Sequence, residues 1–430
     1  MDRSKIKKII YLSLFLRLIL LFISSSHPDI GNHLDWGQKL WQYGPKKFYE
    51  QIFWAVSWPN QPPASILLFG LIYKIYSLAF SFFTSINQSM SLFPSKIIPI
   101  LETNLYTWLM KLPFILSDIL IGFFIYKIIK ILKNSKIAFW GMTIWLFNPA
   151  TIYNSTIWGQ TDPLINLFII ISVYFFIQKK YFGWMFFYLT SLYFKLSLLI
   201  YLPIYFVISL SLIKQNKDIF LHLSKALILW LFLLFLQNLP FIMDGKNFYQ
   251  WIIYIYKTKV FDRQGDMLSG NAFNLWTVLY SIDLSLAKDH LFYFIKTSTL
   301  SYLLVSNCYL FSLIYAYKTK KIISPLFLVS FFIFLFFTNI HERYLYPVFP
   351  LMSIITVINP KIISLRKYSL ISLIHILNLY NLWFYPHLEI LKNLLVFENF
   401  FLARILSFVL IYLYFDIFYK IMSTKYESQV

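Results

Sequence analysis

Long apolar runs alternate with short polar breaks along almost the whole of this 430-residue chain, from Ile9 to Leu410. A stretch of roughly 18 apolar residues with few charges is long enough to cross a bilayer as a helix. The pattern predicts such spans near 9–26, 109–129, 138–156, 163–178, 183–194, 197–213, 223–242, 291–316, 322–338, 345–359, 368–385 and 399–419. In lipid every backbone polar group must be satisfied within the segment or in a closed barrel. Continuous Leu, Ile and Phe runs, with no alternating pattern, exclude an outer-membrane barrel. The expected fold class is an all-α polytopic membrane protein with about 12 transmembrane helices, forming a single domain over residues 1–430.

Composition agrees with this class: 59% of residues are hydrophobic, 21% aromatic and only 13% charged. The formal charge of +20 changes the picture less than it first suggests, because the basic residues gather at the ends of apolar segments. That distribution is a topology signal and gives no reason to expect a nucleic-acid partner. Arg3, Lys5, Lys7 and Lys8 place the N-terminus in the cytoplasm, and no small-residue cleavage site follows the first span, which reads as an anchor. The run from Lys127 to Lys136, Lys179 with Lys180, Lys214 with Lys217, Lys318 to Lys321, and Lys361 to Lys367 mark the same side, as does the C-terminal tail.

Between the N-terminus and Lys127 an even number of crossings is required, yet three apolar segments occur there, including 64–84. That segment begins at Pro62 and Pro63 and carries Lys74 at its middle, which suits a helix lying in the interface better than one crossing it. Residues 27–108 then form one long extracytoplasmic loop containing interfacial helices, and 243–290 forms a second. The short spans 183–194 and 197–213 suggest a thin or water-invaded region around Lys195. Cys308, the single cysteine, lies in an apolar run and can form no intrachain disulfide.

With this topology the polar residues that are not topology signals fall on one face. They are Asp29 and Asp35 beside Trp36, Gln160 and Asp162 after Trp158, Asn271 and Asn274 before Trp276, and the cluster His341, Glu342, Arg343 and Tyr344. Each stretch alone could be a solvated loop, and Trp favours the interface for its own reasons. Together they read as one site. With eleven glycines, no phosphate-binding loop, no Cys/His zinc spacing and no dinucleotide fingerprint, the chain offers no nucleotide chemistry. Carboxylates, amides, a guanidinium and Lys195 remain, a set suited to activating a hydroxyl and holding a phosphate at the lipid boundary. No metal site and no cofactor is expected, although a carboxylate-bound divalent ion stays open.

Several motifs carry a family resemblance. "PDIGNHLDW" resembles the first-loop signature of membrane glycosyltransferases with the GT-C fold, an aspartate seven residues before a tryptophan, here Asp29 and Trp36. "KLPFILSD", "NPATIYNSTIWGQTDPL", Lys195 followed by Pro203, "GNAFNLW" and "HERYLYP" resemble, in that order, motifs of bacterial and archaeal relatives of the second mannosyltransferase of GPI-anchor synthesis. The resemblance spans about residues 20 to 350. It departs at "WPNQPP", where the family has an acidic residue before Tyr-Pro-Pro.

The resemblance implies an inverting glycosyltransferase moving a hexose, mannose in the nearest relatives, from a polyprenyl-phosphate donor at the extracytoplasmic face of a prokaryotic plasma membrane. It assigns Asp29 as general base. Asp35 is expected as a solvated neighbour or acceptor contact. Gln160 and Asp162 are expected to bind substrate hydroxyls or the helix end, against a plain Asp-Pro turn. His341 and Arg343 are expected on the donor phosphate, with Lys195 as a second phosphate group, and Glu342 as an orienter of the arginine or a sugar ligand. A Glu342–Arg343 salt bridge is the plainer alternative, but adjacent helical residues point about 100° apart and do not face each other. The acceptor, whether glycan, lipid or protein, is not legible. A transporter or flippase of lipid-linked sugars is the alternative function, although such proteins place polar groups at the bilayer midplane and often carry internal repeats.

Overall fold

The structure, a computed structural model, describes residues 3–23, 27–51, 57–262 and 265–423. The protein is an all-helical membrane protein. Among the described residues six helices are long and apolar enough to cross a bilayer: Pro63–Ser89, Ile97–Leu132, Leu196–Ile213, Asp218–Phe241, Thr297–Thr319 and Glu389–Ser423. Of two shorter apolar helices, Ile323–Phe336 is buried along almost its whole length and Asp162–Ile177 along its first three turns on most sides.

Several expected spans are not continuous helices, so fewer long helices occur than the apolar runs predict. The run 138–156 breaks at Phe147 because Asn148 caps a new turn, Pro149–Ile152, accepting from the N–H groups of Ala150 and Thr151. That turn widens into a π-helix, Tyr153–Trp158. The run 291–316 opens with a short antiparallel strand pair, Leu291–Phe292 with Ile295–Lys296, before its helix begins at Thr297. Residues 397–400 interrupt Glu389–Ser423 with non-helical backbone. The first helix is Arg3–Leu21, and residues 24–26 of the expected span lie outside the described residues.

Segment 64–84 falls within the 27-residue helix Pro63–Ser89, which by length and composition is able to cross a bilayer. It runs antiparallel to the start of Ile97–Leu132, with Tyr76 stacked on Tyr106 at 5.0 Å. Helix Pro28–Tyr43 packs on both, the Trp41 indole donating to the Gly70 carbonyl at 2.7 Å and the Tyr106 hydroxyl to the Leu34 carbonyl at 2.9 Å.

Two devices hold the segment around residue 343 in place. Inside the bundle, Arg17 and Asp118 are both fully buried and 3.6 Å apart. Arg17 also donates to the Leu146 carbonyl at 2.7 Å, and the Tyr346 hydroxyl donates to Asp118. An unpaired buried charge is costly, so this network fastens the first helix, Ile97–Leu132, the break at residue 147 and the stretch after Tyr344 to one another. Outside the bundle, Ser269–Gly270 pairs in parallel with Ile340–His341. Gly270 is required there, because a Cβ at that position would lie 2.6 Å from His341 Nδ1.

Candidate active site

Helix Pro28–Tyr43 begins with proline at its first position, where a missing N–H costs nothing. His27 precedes it, its Nδ1 accepting from the Asp29 N–H at 3.1 Å. Asp29 therefore sits in the first turn, where the helix dipole favours a carboxylate. Asn32, His33 and Trp36 follow at helical spacing, and all four residues line one cavity of about 710 Å³. Asp35 falls on another side of the helix, off the cavity wall, 3.4 Å from Lys39.

The π-helix ends at Gly159, whose φ of +70° turns the chain back toward helix Pro28–Tyr43. A Cβ there would lie 2.7 Å from Ile30, so glycine also allows the close approach. The turn delivers Gln160, whose Nε2 donates to Asp29 Oδ2 at 2.7 Å. Asp162 opens the next helix and pairs with Lys195 at 2.9 Å. Lys195 occupies the extended break between helix Tyr181–Phe194 and the 3-10 turn Leu196–Tyr201, so its ammonium leaves the apolar run for the cavity.

Arg343 completes the polar end of the cavity. Its Nη1 lies 3.1 Å from Asp29 Oδ2, and its guanidinium packs 5.4 Å from the Tyr344 ring centroid. Lys195 lies the same 5.4 Å from that ring. Away from these charges the wall becomes apolar, with Leu196, Leu198, Val305, Tyr309, Ile333 and Phe337 from the 3-10 turn and two bundle helices.

These groups, all outside the spanning helices, perturb one another. Burial alone would raise the Asp29 carboxyl, but Arg343, then His27 and Gln160, hold it well below the usual carboxylate range. Burial works against the Arg343 charge, yet Asp29 and then Tyr344 and Glu342 keep it above the ordinary guanidinium value. Burial, aided by the nearby Arg343 charge, brings His341 down to about 3, so it is a neutral imidazole at neutral pH. Glu342 is pushed up to about 7, chiefly by burial.

The structure thus brings Asp29, Trp36, Gln160, Asp162, Lys195, His341 and Arg343 to one cavity. It does not bring Asp35, Asn271, Asn274 or Glu342 to its wall. Asn271 is buried in hydrogen bonds with Asn381 and Asn378, and Asn274 caps helix Leu275–Tyr280 through the N–H groups of Trp276 and Thr277. Asn271 also bridges the backbone of His341, so its bonds brace the strand that carries that histidine, whereas Asn274 serves as a helix cap. Glu342 is 1% exposed and its Oε1 lies 3.6 Å from Arg343 Nη1, so the two neighbours do meet, contrary to expectation. The 3-10 turn Glu342–Leu345 does not itself bring adjacent side chains together; the length of the guanidinium side chain lets it reach the carboxylate despite the angular separation. Asn32, His33 and Gln61 also line the cavity and were not singled out. For His33 a signal existed, since it stands four residues after Asp29 and shares its helix face. Among the described residues no three His, Cys, Asp or Glu side chains converge to hold a metal ion.

No protein-family model and no curated protein matches the sequence. Among solved structures, the chain is similar to ArnT from Cupriavidus metallidurans, crystallised bound to undecaprenyl phosphate. The TM-score is 0.51 at 11% identity, over 97% of this chain and 77% of that one. An identity this low carries the fold and no finer statement, and the fold it carries is that of a GT-C-like polytopic membrane protein.

Proposed function

We propose that this protein is an inverting glycosyltransferase that moves a hexose from a polyprenyl-phosphate donor to a hydroxyl acceptor at the extracytoplasmic membrane face. The observation that carries the reading is the two-natured cavity: Asp29, Arg343 and Lys195 at one end, apolar walls at the other. A polyprenyl-phosphate sugar has the matching form, an anionic head on an isoprenoid chain. The likeness to a protein crystallised with undecaprenyl phosphate supports the same ligand class. Mannose as the sugar rests on the motif resemblance.

The chemistry follows from the residues present. In this reading Arg343 offers a planar fork for the phosphate and Lys195 a point charge, and both act on the negative charge that grows as the sugar departs. The acceptor oxygen attacks the anomeric carbon from the face opposite the phosphate. The bond from that carbon to the phosphate oxygen breaks with its electron pair going to the phosphate, and the acceptor proton passes to Asp29. While Arg343 holds it, Asp29 is a weak base. A phosphate that engages Arg343 withdraws that charge and strengthens the base only when donor is bound.

The test is transfer by purified protein in nanodiscs loaded with polyprenyl-phosphate hexoses, with release of polyprenyl phosphate as readout. Asp29→Asn keeps the shape but cannot accept a proton. Turnover is expected to fall about 10²–10⁴-fold, the usual loss on removing a general base, while undecaprenyl phosphate still binds. Near-parental turnover would reject Asp29 as base, and movement of the lipid across the bilayer without sugar transfer would favour the transporter alternative.

A further inference from the structure

A second cavity lies at the far end of the bundle from Asp29. Helix Asp162–Ile177 starts at Asp162 on the first cavity and ends just before Lys179 on the second, about 24 Å away at 1.5 Å per residue. Helix Tyr181–Phe194 makes the return journey, from Lys180 to Lys195. Such a distance approaches the thickness of a bilayer's hydrocarbon core, so the second cavity stands at the level of the opposite headgroups. In the expected topology that face is cytoplasmic.

This cavity, of about 640 Å³, is a cleft between helix Tyr181–Phe194 and the start of helix Asp218–Asn238. Nearer Lys195 the same two helices are clasped, the Tyr193 and Trp230 rings stacking at 5.4 Å and the Trp230 indole donating to the Leu189 carbonyl at 2.7 Å. Phe175, Phe182, Phe187 and Ile219 give the cleft apolar walls, Phe175 and Phe187 stacking at 5.4 Å. Lys179, Lys180 and Asp218 also line it and are exposed. Their backbones are fixed: the N–H groups of Lys179 and Lys180 donate to the Phe176 and Phe175 carbonyls at 2.9 Å, and that of Asp218 donates to Asn216 Oδ1 at 2.9 Å. Among the described residues neither lysine is ion-paired with Asp218, although all three share the cleft.

We infer that this cleft binds a phospholipid with a phosphoethanolamine headgroup, its phosphate held by Lys179 and Lys180, its ammonium by Asp218 and its acyl chains lying along the apolar walls. Basic pockets between helices at the membrane surface suit lipid headgroups. Opposite charges that share a cleft without meeting suit a ligand that carries both signs. The lysines donate charge-assisted hydrogen bonds to the phosphate, and the lipid ammonium donates them to the carboxylate. A phosphoglycerol headgroup would satisfy the lysines but set against Asp218 a hydroxyl without the opposite charge. A choline headgroup has the charge but no N–H to donate. A soluble phosphate compound would leave the phenylalanine walls in water, which is unfavourable for apolar surface. The inference uses only the membrane fold and the second cavity, so it stands apart from the glycosyltransferase reading.

The test is native mass spectrometry of the full-length, delipidated protein, which reads retained lipid directly. Dioleoyl phosphatidylethanolamine, phosphatidylglycerol and phosphatidylcholine are titrated separately, with glycerophosphoethanolamine as the control that lacks acyl chains. Phosphatidylethanolamine is expected to bind saturably and more tightly than either other lipid, and the control far more weakly. Lys179→Ala and Lys180→Ala are each expected to weaken it about fivefold, the order for one basic residue at a membrane surface. Asp218→Asn should weaken phosphatidylethanolamine while leaving phosphatidylglycerol unchanged or tighter, a split that a general loss of structure does not produce. Equal retention of the three lipids by the parent, or a preference for phosphatidylglycerol, would overturn the headgroup assignment and with it the inference. Variants that retain phosphatidylethanolamine as the parent does would overturn the site, and a control that binds as tightly as the lipid would make the cleft a site for a soluble compound instead.

Discussion

Arg343 Nη1 lies 3.1 Å from Asp29 Oδ2, so the proposed phosphate clamp and the proposed general base are each other's counter-ion. Gln160 holds the same carboxylate oxygen from another direction at 2.7 Å. A donor phosphate entering the cavity competes with Asp29 for the guanidinium, which couples donor binding to activation of the base.

Arg343→Lys tests the clamp. Lysine keeps the charge but loses the two-pronged geometry, so single-turnover transfer is expected to fall about 10²–10³-fold, as for loss of one preorganised donor to developing charge. Donor affinity should fall less than turnover does. Rates are normalised to folded protein by thermal unfolding, and parental activity per folded molecule would reduce Arg343 to a structural ion-pair partner.

Glu342 makes stability depend on pH. Its carboxyl is pushed up to about 7 by burial, above the ordinary glutamate value, so the folded state holds a proton that the unfolded state has already released. The stabilisation is complete below the ordinary value and is lost as pH rises through about 7. Asp29 works the other way, since its depressed carboxyl contributes stability above the ordinary range that is lost only on acidification. The buried histidines oppose Glu342: His33 and His341 are held down to about 3, so each adds stability as pH rises toward the ordinary imidazole value. Thermal unfolding between pH 5 and pH 8 should therefore show Glu342→Gln gaining stability relative to the parent as pH rises. An unchanged difference between the two across that range would remove Glu342 as a source of pH dependence.

Gly270→Ala probes the strand that carries His341. A Cβ at position 270 meets the His341 ring at 2.6 Å, and backbone pairing on both sides leaves the ring little room to yield. Overpacking of this kind costs about 1–3 kcal/mol. Reduced thermal stability with impaired transfer is expected, and a compensating His341→Ala should recover the stability without the activity. Wild-type stability of Gly270→Ala would show that the strand pair is looser than the structure describes.

Topology is open to labelling. In a Cys308→Ala background, cysteines at Leu71 and Leu92, which are 57% and 93% exposed, report on helix Pro63–Ser89 and the turn after it. If residues 27–108 form an extracytoplasmic loop, an impermeant thiol reagent added outside intact cells should label position 92. Labelling of position 92 only from the cytoplasmic side would make Pro63–Ser89 a crossing helix.

What the sequence determined by itself was the solvent and its consequences. A bilayer offers no partner to a backbone amide, so apolar runs such as 163–178 and 322–338 had to be helices, and the chain had to be polytopic, whatever the distant contacts were. The ordered motifs from Asp29 to Arg343 also pointed to a GT-C fold before any contact was known. Which polar side chains meet was decided by tertiary structure alone. Asp29 and Arg343 are more than three hundred positions apart, and they touch because Arg17, Asp118 and Tyr346 lock the bundle beneath them while the 269–270 strand fixes His341 above. Asn271 and Asn274 looked like ligands because exposed amides near Trp usually face a site or water, yet Asn271 is bonded to Asn378 and Asn381 and Asn274 caps a helix, both away from the cavity wall. Glu342 and Arg343 meet because the long arginine side chain reaches its neighbour's carboxylate, a contact that backbone angles alone did not predict. Helix formation in lipid is a local demand, readable one segment at a time, whereas a site made of side chains from four segments exists only once the long-range packing has placed them.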